Sequence, residues 1–195
     1  MAVSLKKGQN VSLEKVAKGI KKLHIGLGWD TNKYDGGKSF DLDAMCLLVD
    51  ENNKIAELDE KNFVFYNNLK DPTEAVIHMG DNLTGEGEGD DEVLKVNLDK
   101  ISEKVSKIVF IVNIHDAIAR NQSFGQITNA FIRVLEDGTD KELIVYDLSE
   151  DYSIETGMVV GEIYRHNKDW KFKAVGSGYQ EGLDMILKEY SVPLA

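Results

Sequence analysis

Residues 127–138 read ITNAFIRVLEDG: apolar and polar side chains alternate up to Leu135, and a Glu-Asp-Gly turn signal follows. A period of two is typical of a β-strand with one buried face. Other short apolar runs predict further strands at 23–29, 40–49, 63–66, 75–79, 93–98, 107–114, 143–148, 157–164 and 170–175. Many short strands separated by turn residues favour a mostly β fold, a two-sheet β-sandwich.

Helical periodicity is confined to two segments of the chain. Within 179–190, apolar side chains recur at helical spacing and predict a helix near the C-terminus. A shorter candidate lies at 99–105, between two predicted strands. No linker-like composition interrupts the 195 residues, so we expect a single domain spanning 1–195, with a few short peripheral helices.

The composition is that of an acidic globular protein. The formal net charge is −11 and 42% of the residues are hydrophobic, so we expect a buried core and an acidic surface that repels phosphate backbones and anionic lipids. Nucleic-acid binding and direct membrane insertion are therefore not expected, and no window approaches the roughly 20 apolar residues of a membrane span. The single cysteine, Cys46, cannot form an internal disulfide, and the N-terminus carries no signal-like apolar stretch. Both features favour a cytoplasmic location.

The most unusual stretch is GDNLTGEGEGDDE at residues 80–92. It holds six carboxylates and four glycines, with no cation, histidine or cysteine. Calcium takes six to eight oxygen ligands at about 2.3–2.6 Å, and carboxylate, amide, hydroxyl and backbone carbonyl groups all supply them. Glycines let the backbone curl and turn its carbonyls inward. The stretch therefore predicts a calcium site, with magnesium as the alternative ion and a merely solvated acidic loop as the alternative structure.

A second group of carboxylates precedes a predicted buried strand. The period of two places Asp41 and Asp43 on one face, about 7 Å apart, where both can reach one cation. Asp30 follows Trp29 at the end of an earlier strand, so we expect it at the same end of the sandwich. The alternative is an acidic strand edge that discourages edge-to-edge pairing.

Together these stretches resemble the TerD family of tellurium-resistance and stress-response proteins. The shared motifs are VSLKKGQ at 3–9, GLGWD at 26–30, FDLDA at 40–44, FYNN at 65–68, the acidic loop at 80–92 and the tail at 178–192. The resemblance implies a cytoplasmic β-sandwich that binds two calcium ions close together. It also implies a role in tellurite and other chemical-stress resistance alongside other Ter proteins, some of them membrane-associated.

By position, the resemblance implies a metal-ligand set drawn from both acidic stretches. Its members are Asp30, Asp41, Asp43, Asp81, Asn82, Thr84, Gly85, Gly87, Asp90, Asp91 and Glu92. Which of them would bind through side chains and which through backbone carbonyls is left open.

Two functions of different classes fit these observations. The first is a calcium-dependent interaction or sensor module without catalysis, and a purely structural calcium is its simpler form. The second is a metal-dependent hydrolase acting on a phosphorylated substrate, in which two close cations would activate water. The four histidines show no metalloprotease spacing, and no Gly-x-Ser-x-Gly motif is present. The sensor module is therefore the favoured interpretation.

Overall fold

The structure, a computed structural model, describes residues 2–30, 40–80, 89–148, 154–167 and 169–193, without the side chains of Asp30 and Leu58. Within these residues the chain forms twelve strands, three short α-helices and four 3₁₀ turns. The strands are β1 (Val3–Ser4), β2 (Asn10–Ser12), β3 (Lys22–Asp30), β4 (Leu42–Val49), β5 (Phe63–Val64), β6 (Val76–His78), β7 (Glu92–Asn97), β8 (Lys107–Ile114), β9 (Thr128–Glu136), β10 (Glu142–Asp147), β11 (Gly157–His166) and β12 (Asp169–Tyr179). The α-helices are α1 (Leu13–Val16), α2 (Ala117–Arg120) and α3 (Leu183–Glu189), and the 3₁₀ turns are Ala56–Leu58, Glu60–Asn62, Leu98–Lys100 and Phe124–Gln126.

The strands form two six-stranded sheets, which confirms the two-sheet sandwich. Sheet A has the order β1-β10-β9-β3-β7-β6, and sheet B has the order β2-β12-β11-β8-β4-β5. The described strand pairs are antiparallel, except that β1 runs parallel to β10. In sheet A, β3 pairs with β9 on one side and with β7 on the other, although both are far from it in sequence. The pairing with β7 brings the acidic segment before β7 beside β3.

The alternating stretch at 127–135 forms β9, between β3 and β10. Ala130, Ile132 and Val134 are buried in the core between the sheets. The intervening Phe131 and Arg133 therefore lie on the outer face of sheet A. This division of one strand into a core face and an outer face is what the period of two predicted.

Strand β4 is buried along its whole length because both of its faces are covered. Leu42 and Ala44 belong to the core between the sheets. Met45 and Leu47 belong to a second apolar cluster on the outer face of sheet B, which α3 covers with Ile186 and Leu187. A strand covered on both faces needs apolar residues at consecutive positions, which explains the unbroken run at 44–49.

The short helix expected at 99–105 was wrong. Leu98–Lys100 forms a 3₁₀ turn, and the residues after it leave the helical path. The guanidinium of Arg165 on β11 donates to the carbonyls of Ile101 at 3.1 Å and Val105 at 2.9 Å. A side chain from the other end of the chain therefore satisfies backbone groups that a helix would have used internally.

The C-terminal helix predicted within 179–190 is confirmed as α3. It begins after Gly182, whose φ of +67° suits glycine. The Tyr179 hydroxyl donates to Glu189 at 2.7 Å and ties the helix to the end of β12. Among the described residues, no helix is both long and apolar enough to cross a membrane.

Candidate metal centre

The two acidic stretches meet at the end of the sandwich where β3 ends and β4 begins. The Glu92 carboxylate accepts a hydrogen bond from the Ala44 amide at 2.5 Å, so it lies against the peptide that joins Asp43 to Ala44. The Asp91 carboxylate accepts from the Trp29 amide at 3.0 Å. Residue pairs 48 and 62 positions apart in sequence are thus brought together, the first pair by the packing of sheet A on sheet B and the second by the pairing of β7 with β3.

Glu92 is the first residue of β7, and its side chain points into the sandwich. It is 1% exposed. Strand β5 pairs with β4 only at Cys46 and Leu47, so the backbone of Ala44 lies beyond its reach. There Glu92 accepts the Ala44 N–H, and His78 Nε2 donates to the Ala44 carbonyl at 3.0 Å. The two side chains replace the missing strand and satisfy backbone groups that would be costly to bury unpaired.

His78 is held between two backbone groups and the buried carboxylate. Its Nδ1 accepts from the Gly80 amide at 3.2 Å, while Nε2 donates to the Ala44 carbonyl. Glu92 Oε2 is 3.6 Å from His78 Nε2. The imidazole thus lies directly beside the Glu92 carboxylate.

Asp41 and Asp43 share the outer face of sheet B, as the strand period predicted. They are 6% and 5% exposed. The junction of β8 and α2 lies against them: His115 Nδ1 is 3.8 Å from Asp43 Oδ2, and Arg120 Nη1 is 3.8 Å from Asp41 Oδ2. The His115 amide also donates to the Asp41 carbonyl at 2.8 Å. Both basic side chains lie beyond hydrogen-bond distance of these carboxylates, at ion-pair range.

The rest of the predicted ligand set falls outside the described residues. Its members there are Asp81, Asn82, Thr84, Gly85 and Gly87. The side chain of Asp30 is also outside them, although its backbone ends β3 opposite Thr128. In the described part of the chain, no three His, Cys, Asp or Glu side chains converge closely enough to hold a metal ion by themselves.

Asp90 differs from the other predicted ligands in its surroundings. Its two carboxylate oxygens contact Arg133 Nε and His24 Nε2, each at 2.7 Å, on the outer face of sheet A. Burial pushes the pKa of Asp90 upward, but the hydrogen bonds from His24 and Arg133 outweigh it and hold the pKa below its usual value. Asp90 is thus an ionised, already compensated carboxylate.

The sequence of the chain is similar to those of known proteins along nearly its whole length. The TerD domain model matches residues 1–190. The chain belongs to the TerD family. It is 54% identical over 192 residues to General stress protein 16U of Bacillus subtilis (strain 168), covering 98% of each chain. It is 52% identical over 192 residues to Tellurium resistance protein TerD of Serratia marcescens, again covering 98% of each.

Solved structures share the fold of this TerD-family chain. SCO6318 from Streptomyces coelicolor A3(2), described as a homologue of telluride resistance protein (TerD), superposes with a TM-score of 0.70 at 21% identity. The match covers 90% of this chain and 100% of that one. The names of the curated relatives make this a family of tellurium-resistance and general stress-response proteins.

Sequence reasoning missed several side chains that shape this end of the TerD-family sandwich. His78 carried a signal, since it lies in a predicted strand directly before the acidic loop. Arg133 also carried one, as the single cation in the alternating stretch at 127–135. His24 and Arg120 carried none, because their partners depend on which strands and turns become neighbours.

Proposed function

We propose that this protein binds calcium in the cytoplasm and acts as a calcium-dependent interaction or sensor module in tellurite and chemical-stress resistance, without catalysis. The observation that carries the proposal is the burial of three carboxylates, Asp41, Asp43 and Glu92, where the two acidic stretches meet, with exposures of 6%, 5% and 1%. A carboxylate loses hydration when it is buried, and a divalent cation bound to it would offset that cost.

The chemistry of the donor set favours calcium over zinc. Apart from the His115 imidazole, 3.8 Å from Asp43, the described side-chain donors proposed here are carboxylate oxygens, which suit a hard cation. His78 uses both ring nitrogens for backbone groups. Cys46 is buried in β4, and burial raises the pKa of its thiol, so it does not offer a thiolate.

The proposed ligands come from both acidic stretches. Asp41, Asp43, Asp91 and Glu92 supply described carboxylates, and Asp30 with the loop at 81–88 supplies the remaining oxygens. Two close ions and assembly with other Ter proteins, some membrane-associated, belong to the same proposal. The Serratia marcescens relatives named TerD, TerZ and TerX motivate the partner class.

Calorimetric titration of chelator-stripped protein tests the proposal. We expect saturable calcium binding at micromolar concentration or below, with a much weaker response to magnesium, and two ions per chain. Asp43→Ala and Asp91→Ala should each weaken calcium binding, while Asp50→Ala, which removes an exposed carboxylate in a distant turn, should not. The ligand assignment would be abandoned if neither site variant changed the affinity.

An assay with generic phosphoesters tests the non-catalytic part of the proposal. Calcium-loaded protein should leave these substrates unchanged. Turnover that requires a divalent ion and is lost in Asp91→Ala would instead support the metal-dependent hydrolase.

A further inference from the structure

Asp90 is fastened to the outer face of sheet A, two residues before β7 begins. Arg133 Nε on β9 donates to one carboxylate oxygen at 2.7 Å, and His24 on β3 lies 2.7 Å from the other. The Asp90 side chain is 6% exposed although it lies on an outer face. The Arg133 and His24 side chains are 26% and 22% exposed, so the pair is partly buried, and such a pair held by two donors is less weakened by solvent than an exposed surface pair.

The backbone of β3 is shaped to receive this carboxylate. Gly26 lies directly across from Arg133, and a Cβ at position 26 would overlap the Asp90 carboxylate. Lys95 Nζ contacts His24 Nδ1 at 3.0 Å, so the His24 ring proton lies on Nε2 and is donated to Asp90. The Asp90 carboxylate therefore fits between its two partners, Arg133 and His24, and the space that the missing side chain of Gly26 leaves.

The charges around Asp90 make it a poor metal ligand. The guanidinium of Arg133 already compensates its negative charge, and a calcium ion at the same carboxylate would be repelled by that guanidinium. The neighbouring Asp91 has different contacts: its carboxylate accepts from the Trp29 amide, and its own amide donates to the Leu27 carbonyl. Adjacent carboxylates thus have separate surroundings.

We propose that the clamp formed by Arg133, Asp90 and His24 fixes the exit of the acidic loop and sets its calcium affinity, with Arg133 as a positioning residue and Asp90 making no metal contact. This inference rests on the proposed calcium function. Because the clamp holds residue 90, Asp91 and Glu92 are held near their binding positions before the ion arrives. Because these residues are already ordered when the ion binds, the entropy of ordering them does not weaken the calcium affinity.

Calcium calorimetry on Arg133→Gln and Asp90→Asn tests the clamp, because the two roles of Asp90 predict opposite signs. If Asp90 is an anchor, both variants weaken calcium affinity, by about 10–100-fold, with the number of bound ions unchanged. The double variant should bind calcium no more weakly than the weaker-binding single variant, because the two substitutions break the same contact. If Asp90 is a ligand, Asp90→Asn weakens binding but Arg133→Gln strengthens it, because a competing cation is gone. That result would overturn the proposal.

Two further variants separate positioning from a general loss of stability. Arg165→Gln removes an arginine on β11, in the other sheet, that donates to the backbone carbonyls of Ile101 and Val105; it should lower the melting temperature without changing calcium affinity. Arg133→Lys keeps the charge but loses the directed Nε donor, so its affinity should fall between wild type and Arg133→Gln. Equal weakening by Arg165→Gln would overturn the positioning role.

Hydrogen exchange in chelated protein gives a readout that needs no calcium. Arg133→Gln should speed amide exchange at Asp91 and Trp29, whose hydrogen bonds depend on the loop exit, and Arg165→Gln should not. Wild-type protein that bound no calcium would overturn the proposed function and this inference together. Calcium binding that Arg133→Gln left unchanged would overturn the clamp alone.

Discussion

Gly26 shows how a single missing side chain can decide a local structure. The Asp90 carboxylate occupies the space that a Cβ at position 26 would need. Gly26→Ala should therefore cost about 1–3 kcal/mol of unfolding free energy, as overpacked sites do, measured by denaturant titration. In an Asp90→Ala background the obstruction is gone, and most of that cost should disappear. Equal costs in both backgrounds would contradict the assigned contact.

Glu92 combines a structural and a proposed metal-binding role in one carboxylate, and two substitutions separate them. Glu92→Gln keeps an oxygen that can accept the Ala44 N–H, so chelated protein should lose less than about 1 kcal/mol of unfolding free energy. Glu92→Ala leaves that buried N–H unpaired beside a cavity and should cost about 2–4 kcal/mol. Both should weaken calcium binding, because both remove the charge.

Denaturant titration with chelator present and calorimetry with calcium present distinguish the outcomes for Glu92. A glutamine variant as unstable as the alanine variant would mean that the charge itself, and not the hydrogen bond to Ala44, maintains this end of the sandwich.

At the residue scale, the sequence predicted on which face of a strand a side chain lies, but not which other side chain it contacts. The shared face of Asp41 and Asp43 followed from the geometry of an extended chain. The contact between Asp90 and Arg133 joins positions 43 residues apart, and it depends on β3 and β9 being neighbours. No local pattern contains that information.

At the scale of elements, the attachment of α3 to sheet B should depend on alkaline pH, because a buried tyrosine directly follows the helix. Tyr190, which follows the last residue of α3, is 9% exposed, and burial with help from Glu189 and Glu162 raises its pKa from 10.0 to about 12. Burial and the hydrogen bond to Glu189 also raise the pKa of Tyr179. The folded state thus disfavours both phenolate anions. The stability this provides is complete below pH 10.0 and is lost as the pH rises toward 12.

We therefore expect α3 to detach from sheet B between these pH values, before the strands separate. Tyrosinate absorbance of wild type minus that of Tyr190→Phe gives the titration of this one side chain. The phenylalanine variant should keep α3 attached to higher pH. Ionisation of Tyr190 near its ordinary pKa would show that the helix does not bury it.

Elements were predicted well where one physical cue sufficed. Strand β9 showed alternation, and β4 showed the continuous apolar run of a strand with two covered faces. The helix expected at 99–105 failed because Arg165, more than sixty residues later, takes its carbonyls. Short strands such as β5 and β6 were predicted too long, since their ends are set by where the neighbouring chain stops pairing.

The whole molecule carries a formal charge of −11, and its excess of carboxylates makes its stability sensitive to cations in general. Two effects must then be separated. Dissolved salt screens repulsion between exposed charges over a Debye length of about 8 Å at 0.15 M. A specific site stabilises the folded state by an amount that grows with the logarithm of free calcium over the dissociation constant, about 2.7 kcal/mol at a hundredfold excess.

Thermal unfolding at constant ionic strength distinguishes screening from site binding for the whole fold. Calcium should raise the unfolding free energy by the amount its measured dissociation constant predicts, and magnesium at equal concentration should raise it far less. Added sodium chloride should stabilise chelated protein more than calcium-loaded protein, because bound calcium has already relieved the strongest repulsion at the junction of β3 and β4. Equal shifts from calcium, magnesium and matched salt would mean that the acidic surface attracts a diffuse cation atmosphere, and that the buried carboxylates are compensated entirely from within the chain.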